Sequence, residues 1–483
     1  MANYHGVTTR EVKTGLIPTV NSDAGLPVVF GVAPIFMTKN PEASYNTPIL
    51  AYSYEEAVKS LGFIDANAGT GRFEYNLSEF MDSHYRKFES DPVVFVNVLD
   101  PTDVEEKTEE LKLVNGKATL KSKKAFLNSF VVKKGDDELE SGVDYLVTYN
   151  TDGSAVVSSL NSDSLAKNDD ISVTFNESTY ELSKDDVIGG VNPVTGLKSG
   201  LELVDEVFPR FRIVPGQLVS PGFSSETDVA AVMTAKANNI NGLFKALALT
   251  DIAPTETNYT KIPGIKNSDN FVDPNQVVCW PMVSLSGKVY NLSTQLAGLV
   301  CRTDAEYGGV PYKSPSNENL QMDSSVAGDD NLEVVLDPQN ANYLNQQGIY
   351  TALNFIGGWK GWGNRTAAYP GNTDPKDAFI AVRRMFNWVS NTLILTYWQK
   401  VDEPTNTRQI DSIVDSINLW LNGLTAQGYL LGGRVEFLTD DNPVLDLMDG
   451  MTRFRIMLTP PVPNEQIEFI LEFDPEYLQT LFN

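Results

Sequence analysis

Only two imidazoles are available for chemistry in 483 residues, His5 and His84. Acyl transfer needs a nucleophile, a base within reach and a carboxylate to orient it. His84 lies in MDSHYRKF on an expected helix, and its partners would have to come from distant segments, because no G-x-S-x-G elbow occurs. Two histidines and two cysteines, Cys279 and Cys301, are too scattered for a zinc pattern. Phosphate chemistry fares no better. SLSGKV at 284–289 lacks both the glycine spacing of a P-loop and the Ser/Thr after its lysine, and no G-x-G-x-x-G follows a strand. Asp136-Asp137-Glu138, Asp169-Asp170 and Asp440-Asp441 read as solvated turns, and Asn150-x-Asp152-Gly153 lacks the spaced ligands of a calcium loop. No catalytic, cofactor-binding or metal-ligating residue is therefore assigned, and the chain reads as structural rather than enzymatic.

One local run still asks for a role. In GGWKGWGNRT, residues 357–366, glycines let the backbone bend closely around Trp359 and Trp362, and Arg365 is placed to stack on one of the two rings. A core corner is the plainer reading, a ligand pocket or contact surface the sharper one.

Bulk properties narrow the partners. A net charge of −26 weighs against nucleic acid and against an anionic membrane surface, and no run of about 18 apolar residues offers a membrane span. The first residues, MANYHGVTTREVKTG, lack the apolar core of a secretory signal, and the two cysteines point to a reducing compartment.

The elements that must carry any function divide into five stretches. Residues 1–20 hold short β-prone pieces without an adjacent partner, an arm that includes Val7, Thr9 and Val12. Residues 21–100 begin an α/β pattern: a buried strand at Pro27–Val32, a helix opened by the Ser53–Glu56 capping box and closed at Gly62, a helix from Leu77 to Phe88, and a strand at Val93–Leu99. Residues 101–195 change to short alternating runs with Asn115-Gly116 and Asp152-Gly153 turns, as expected of an inserted all-β sandwich domain. Residues 196–372 return to strand–helix alternation, with strands expected at Phe211–Val214, Phe244–Leu249, Gln276–Trp280 and Tyr350–Ile356. Helices there are expected after Ser225 as cap, at Leu292–Thr303, and from Asp337-Pro338 to Gly348. Residues 373–483 form a smaller C-terminal unit. It holds a long helix from Asp374-Pro375 with Phe379, Val382, Phe386, Val389 and Leu393 on one face, a second helix through Leu424, and strands at Arg434–Phe437 and Thr452–Leu458 around a short helix.

The closing run NEQIEFILEFDPEYLQTLFN alternates Ile467, Phe469, Leu471 and Phe473 with Gln466, Glu468 and Glu472, the period of a half-buried strand, behind a stiff Pro460-Pro461-Val462-Pro463 spacer. Two readings stay open: it folds back on Thr452–Leu458 as a hairpin, or it joins another molecule's sheet. Five acids and no base follow Arg455, whereas the first residues are slightly basic, so the two ends are complementary.

These residues resemble the sheath proteins of contractile phage tails and of phage-tail-like bacteriocins. The likeness rests on YHGVTTREV, SDAGLPVVFGVAP, IVPGQ, PMVSLSGKVYNLSTQLAGLVCRTDAEYGGVPYKSPSN, NQQGIYTALNFIGGWKGWGNRT, FIAVRRMFNWVSNTLI and IEFILEF in order, over nearly the whole chain. The resemblance implies a multidomain α/β fold. Its main domain would be subtilisin-like without a catalytic triad, with a peripheral β-sandwich insert, a smaller C-terminal α/β domain facing a tail tube, and terminal arms that add strands to neighbouring copies. It implies a virion tail or tail-like particle assembled in the bacterial host cytoplasm. Copies of the chain would stack as hexameric rings, with tail tube, baseplate and tail-terminator proteins as partners, and would contract without nucleotide. Glu436, Asp440 and Asp441 become tube-facing candidates if the tube's outer face is basic. A cryptic subtilisin-like hydrolase, or a self-assembling surface-array or adhesin protein, are the alternatives.

Overall fold

The computed structural model describes residues 24–90 and 92–482; Val7, Thr9 and Val12 lie outside them. Eight strands build the main sheet: β1 Pro27–Gly31, β2 Pro48–Ala51, β3 Val93–Asn97, β4 Gln217–Val219, β5 Leu247–Asp251, β6 Gln276–Cys279, β7 Ile349–Asn354 and β8 Trp359–Trp362. Their order is β2-β3-β1-β4-β5-β6-β7-β8. The six inner strands run parallel, and β2 and β8 close the edges antiparallel. Every residue of β1, β3, β4, β5 and β6 is buried, which is why these strands read as unbroken apolar runs: helices cover both faces.

Covering helices are α1 Tyr54–Leu61, α2 Asn76–Arg86, α3 Thr227–Asn238, α4 Leu292–Ala305 and α5 Pro338–Asn345. Ser53 accepts from the Glu56 N–H to start α1, and Asp337 accepts from the Asn340 N–H to start α5. Two local expectations fail. Phe211–Val214 is no strand: Val204–Phe211 is a helix that buries Val204 and Val207, Arg212 ends it at φ 61°, and the sheet is rejoined only at Gln217. Ser225 does not cap α3 either; its hydroxyl turns back to donate to the Gly222 carbonyl.

The insert comprises two small antiparallel sheets, one from strands 104–112, 170–178, 131–134 and 137–138, the other from 117–119, 155–159 and 145–149. Both feed one apolar core that includes Leu113, Val132, Val157, Val173 and Phe175. Asn115 and Gly116 take φ of 56° and 83°, the left-handed pair that an Asn-Gly turn supplies. Tyr149 ties the insert to its host, its hydroxyl donating to the Phe36 carbonyl (3.3 Å) while its ring meets that of Phe36.

The C-terminal unit rests on α6 Ile380–Tyr397 and α7 Thr407–Ala426. The expected single helix from Asp374 is broken at Phe379, leaving a short turn at Pro375–Ala378. Nor does α6 bury one stripe. Met385, Trp388 and Val389 pack against Ile417, Leu421 and Leu424 of α7, while Ile380 enters the core of the main sheet. Arg384 and Asp304 form a buried bidentate ion pair between α6 and α4. A two-stranded sheet follows, β9 Gly432–Glu436 with β10 Arg455–Thr459.

Candidate functional site: the C-terminal arm

After Thr459 the chain leaves β10 through Pro460, Pro461 and Pro463 and runs extended to Asp474 without joining any sheet, before turns at Pro475–Phe482. The fold-back hairpin is not formed: among the described residues β10 pairs with β9 alone. Its rigid, donor-poor proline exit does not let the strand reverse tightly. Ile467, Phe469, Leu471 and Phe473 therefore stand in water, with Phe469 83% and Leu471 93% exposed. Such an apolar face has no stable place on an isolated chain.

β10 is also the strand with an unused edge. On β9, Asn418 of α7 fills the outer edge by accepting from the Val435 N–H (3.0 Å) and donating to its carbonyl (3.4 Å). Among the described residues, the far side of β10 carries no backbone partner. One copy thus displays both an unpaired extended segment and an unpaired strand edge, the two halves of strand addition.

Among the described residues, the arm's root touches the body at one polar contact. Arg365, in the loop after β8, donates to Glu465 at 2.5 Å. Its guanidinium is held between the Phe379 ring (3.8 Å) and the Tyr369 ring (4.5 Å), not on the tryptophans the sequence suggested. Trp359 and Trp362 are instead spent in β8, Trp359 donating its indole N–H to the Asp323 carbonyl. Gly361 between them passes so close to Tyr350 that a Cβ would lie 1.8 Å from its hydroxyl. Residues 461–466 and the facing Tyr312, Ser316, Asn342 and Trp362 enclose a cleft of about 680 Å³.

Of the acidic candidates on this unit, Glu436 pairs with Arg434 (2.8 Å) and Asp441 with Arg455, whose Nε donates at 2.8 Å. Asp440 alone makes no ion pair among the described residues.

The interior polar groups do a different job. At the carboxyl end of β5, Asp251 accepts from the Ser224 hydroxyl (3.1 Å), the Ser293 N–H (3.0 Å) and the Ser293 hydroxyl. Glu79 accepts from the Asn291 N–H (2.7 Å) and Thr294 hydroxyl (2.8 Å). Burial pushes Asp251 up to about 6 and Glu79 up to about 7. These carboxyls pin the N-terminus of α4 to β5 and α2. His84 takes no part: it is buried on α2, stacked on Phe80, with neither ring nitrogen partnered among the described residues, and burial pushes it down to about 3. Among the described residues no three of His, Cys, Asp or Glu are placed to share a metal ion, and no helix is long and apolar enough to cross a membrane.

No protein-family model matches the chain. The tail sheath protein of Burkholderia phage BcepMu is 28% identical to it over 506 residues, covering 99% of both chains. The tail sheath protein of Escherichia phage P2 is 25% identical over 59% of this chain and 69% of its own. Among solved structures, the contracted sheath complex of the extracellular contractile injection system PVC superposes with a TM-score of 0.58 at 14% identity, covering 99% of both chains, a likeness of fold.

Proposed function

We propose that this chain, a member of the contractile tail sheath family, polymerises around a tail tube and drives that tube through the target envelope by contracting. One observation carries the reading: an alternating apolar arm left exposed, in a chain that also has a strand edge with no partner among the described residues. Seated on β10 of a neighbour, Ile467, Phe469, Leu471 and Phe473 bury their shared face, and the backbone gains about four hydrogen bonds at about 1 kcal/mol each. With every copy giving and receiving an arm, weak joints add up to a lattice that tolerates rotation between copies.

The finer parts of the reading follow from it. Residues 1–20, through Val7, Thr9 and Val12, serve as a second exchanged arm. The copies stack as hexameric rings that end on baseplate and tail-terminator proteins, and they assemble in the host cytoplasm. The main domain is a subtilisin-like frame without its triad, and the sandwich at 101–195 lies on the outside. Of the three acidic candidates Asp440 is the one left to face a tube, because Arg434 and Arg455 already pair with Glu436 and Asp441.

Electron microscopy of the purified chain beside versions lacking 1–20 or 464–483 tests this, with tube protein added as template. Striated tubes from the full chain that vanish with either truncation are expected. Tubes that survive loss of 464–483 would remove the arm from the assembly, and particles without helical order from the full chain plus template would overturn the sheath reading.

A further inference from the structure

The arm springs from the C-terminal unit, yet its first fixed point lies on a different part of the body. Glu465 belongs to the chain just past β10; Arg365 belongs to the loop after β8, on the main sheet. Between them, residues 460–464 form a short proline-stiffened bridge. We propose that Arg365 and Glu465 form a clasp that aims the arm: it moves the arm's pivot from Pro460 to Glu465 and so sets the direction in which Ile467–Phe473 is presented. This rests on the exchanged-arm reading above.

Three observations support it. Arg365 is pre-ordered between Tyr369 and Phe379, with its side chain 18% exposed, so little freedom is lost on pairing. The loop that carries it is itself anchored, because buried Lys266 donates to the carbonyls of Ala367 (2.7 Å) and Tyr369 (3.0 Å). Among the described residues, Glu465 is also the only residue of 460–474 with a hydrogen bond to the body.

The consequence is geometric. With the clasp closed, residues 466–474 sweep a reach of about 30 Å; with it open, 460–474 sweep about 50 Å. The larger volume dilutes the arm at a fixed neighbouring edge about two- to fivefold. Because the pair is partly solvated, salt should open it.

The test uses the unassembled full chain with nitroxides on p-acetylphenylalanine at positions 343 and 469, read as a distance distribution. A narrow distribution is expected for the unaltered chain and for Glu465→Asp at low salt. A broad one is expected for Glu465→Gln, for Arg365→Ala and for the unaltered chain in 0.5 M salt (about a 4 Å screening length). The rate of tube growth on added tube protein should fall about two- to fivefold in Glu465→Gln. Identical distributions in all samples would overturn the clasp even if every variant forms tubes. A clasp that opens as described in chains that form no tubes on any template would instead overturn the sheath reading and leave the clasp standing.

Discussion

Replacing Phe469 and Leu471 together by threonine separates an arm that acts between copies from one that packs on its own chain. Both side chains are almost wholly in water, at 83% and 93% exposure, and threonine keeps the preference for extended backbone. In the isolated chain nothing buried is lost, so stability to denaturant should change by less than about 0.5 kcal/mol. On a neighbour's edge each side chain would bury most of its apolar surface, about 2 kcal/mol apiece, so the seated arm loses about 4 kcal/mol. That corresponds to about a thousandfold in the affinity of each joint. The threshold concentration for tubes, read by pelleting on added tube protein, should rise by orders of magnitude. Glu468→Thr, on the opposite face, should leave it near the original value. If the double substitution costs the isolated chain more than about 1 kcal/mol, the arm is packed at home in solution; if the threshold does not move, the apolar face is not what joins the copies.

Three further tests address the frame. His84 is held neutral in the fold, down at about 3, whereas the unfolded chain takes up its proton near 6.5. Its contribution is present above pH 6.5 and is lost as pH falls, by about 3 kcal/mol at pH 4, so His84→Phe should flatten the acid limb of a denaturation series. Glu79 has the opposite sign. Raised by burial to about 7, it favours the fold below about pH 4.5 and loses that contribution as pH rises through 7, about 3 kcal/mol by pH 8. Glu79→Gln should therefore be more stable than the parent at pH 8 in urea titrations, with little difference at pH 4.5. Gly361→Ala would drive a Cβ to 1.8 Å from the Tyr350 hydroxyl, which donates to the Pro315 carbonyl, and should lower stability by more than about 3 kcal/mol by calorimetry.

What could be read without coordinates follows from burial. Strands covered on both faces, such as Val93–Asn97, show as apolar runs, and the Asn115-Gly116 turn shows because left-handed backbone selects those two residues. Phe211–Val214 misled because Phe211 ends a helix begun at Val204, and the strand itself is only Gln217–Val219. The face of α6 was misread because a helix wedged between two cores buries several sides, so one stripe underdescribes it. Arg365 could not be matched to Tyr369, Phe379 and Glu465, since a loop's path and a partner a hundred residues away leave no periodic trace. In contrast, the pairing of Glu436 was open to inspection: Arg434 stands two residues away on the same face of a strand. The arm's alternation was legible, but its failure to fold back was not, because that depends on Arg455–Thr459 taking Gly432–Glu436 as its partner.

The burial of Arg384 against Asp304 has a mechanical corollary. A desolvated, doubly bonded ion pair is expensive to break, and α6 lies in the cores of both the main sheet and the C-terminal unit, so the two do not readily shear past each other. Each copy then behaves as a stiff bar rather than a spring. A sleeve made of such bars would shorten by turning them about their joints, and in the exchanged-arm reading the slender segment beyond Pro460 would absorb part of that turning. The work of the stroke would accordingly reside in how the bars lie against one another, with almost none of it stored inside any one of them.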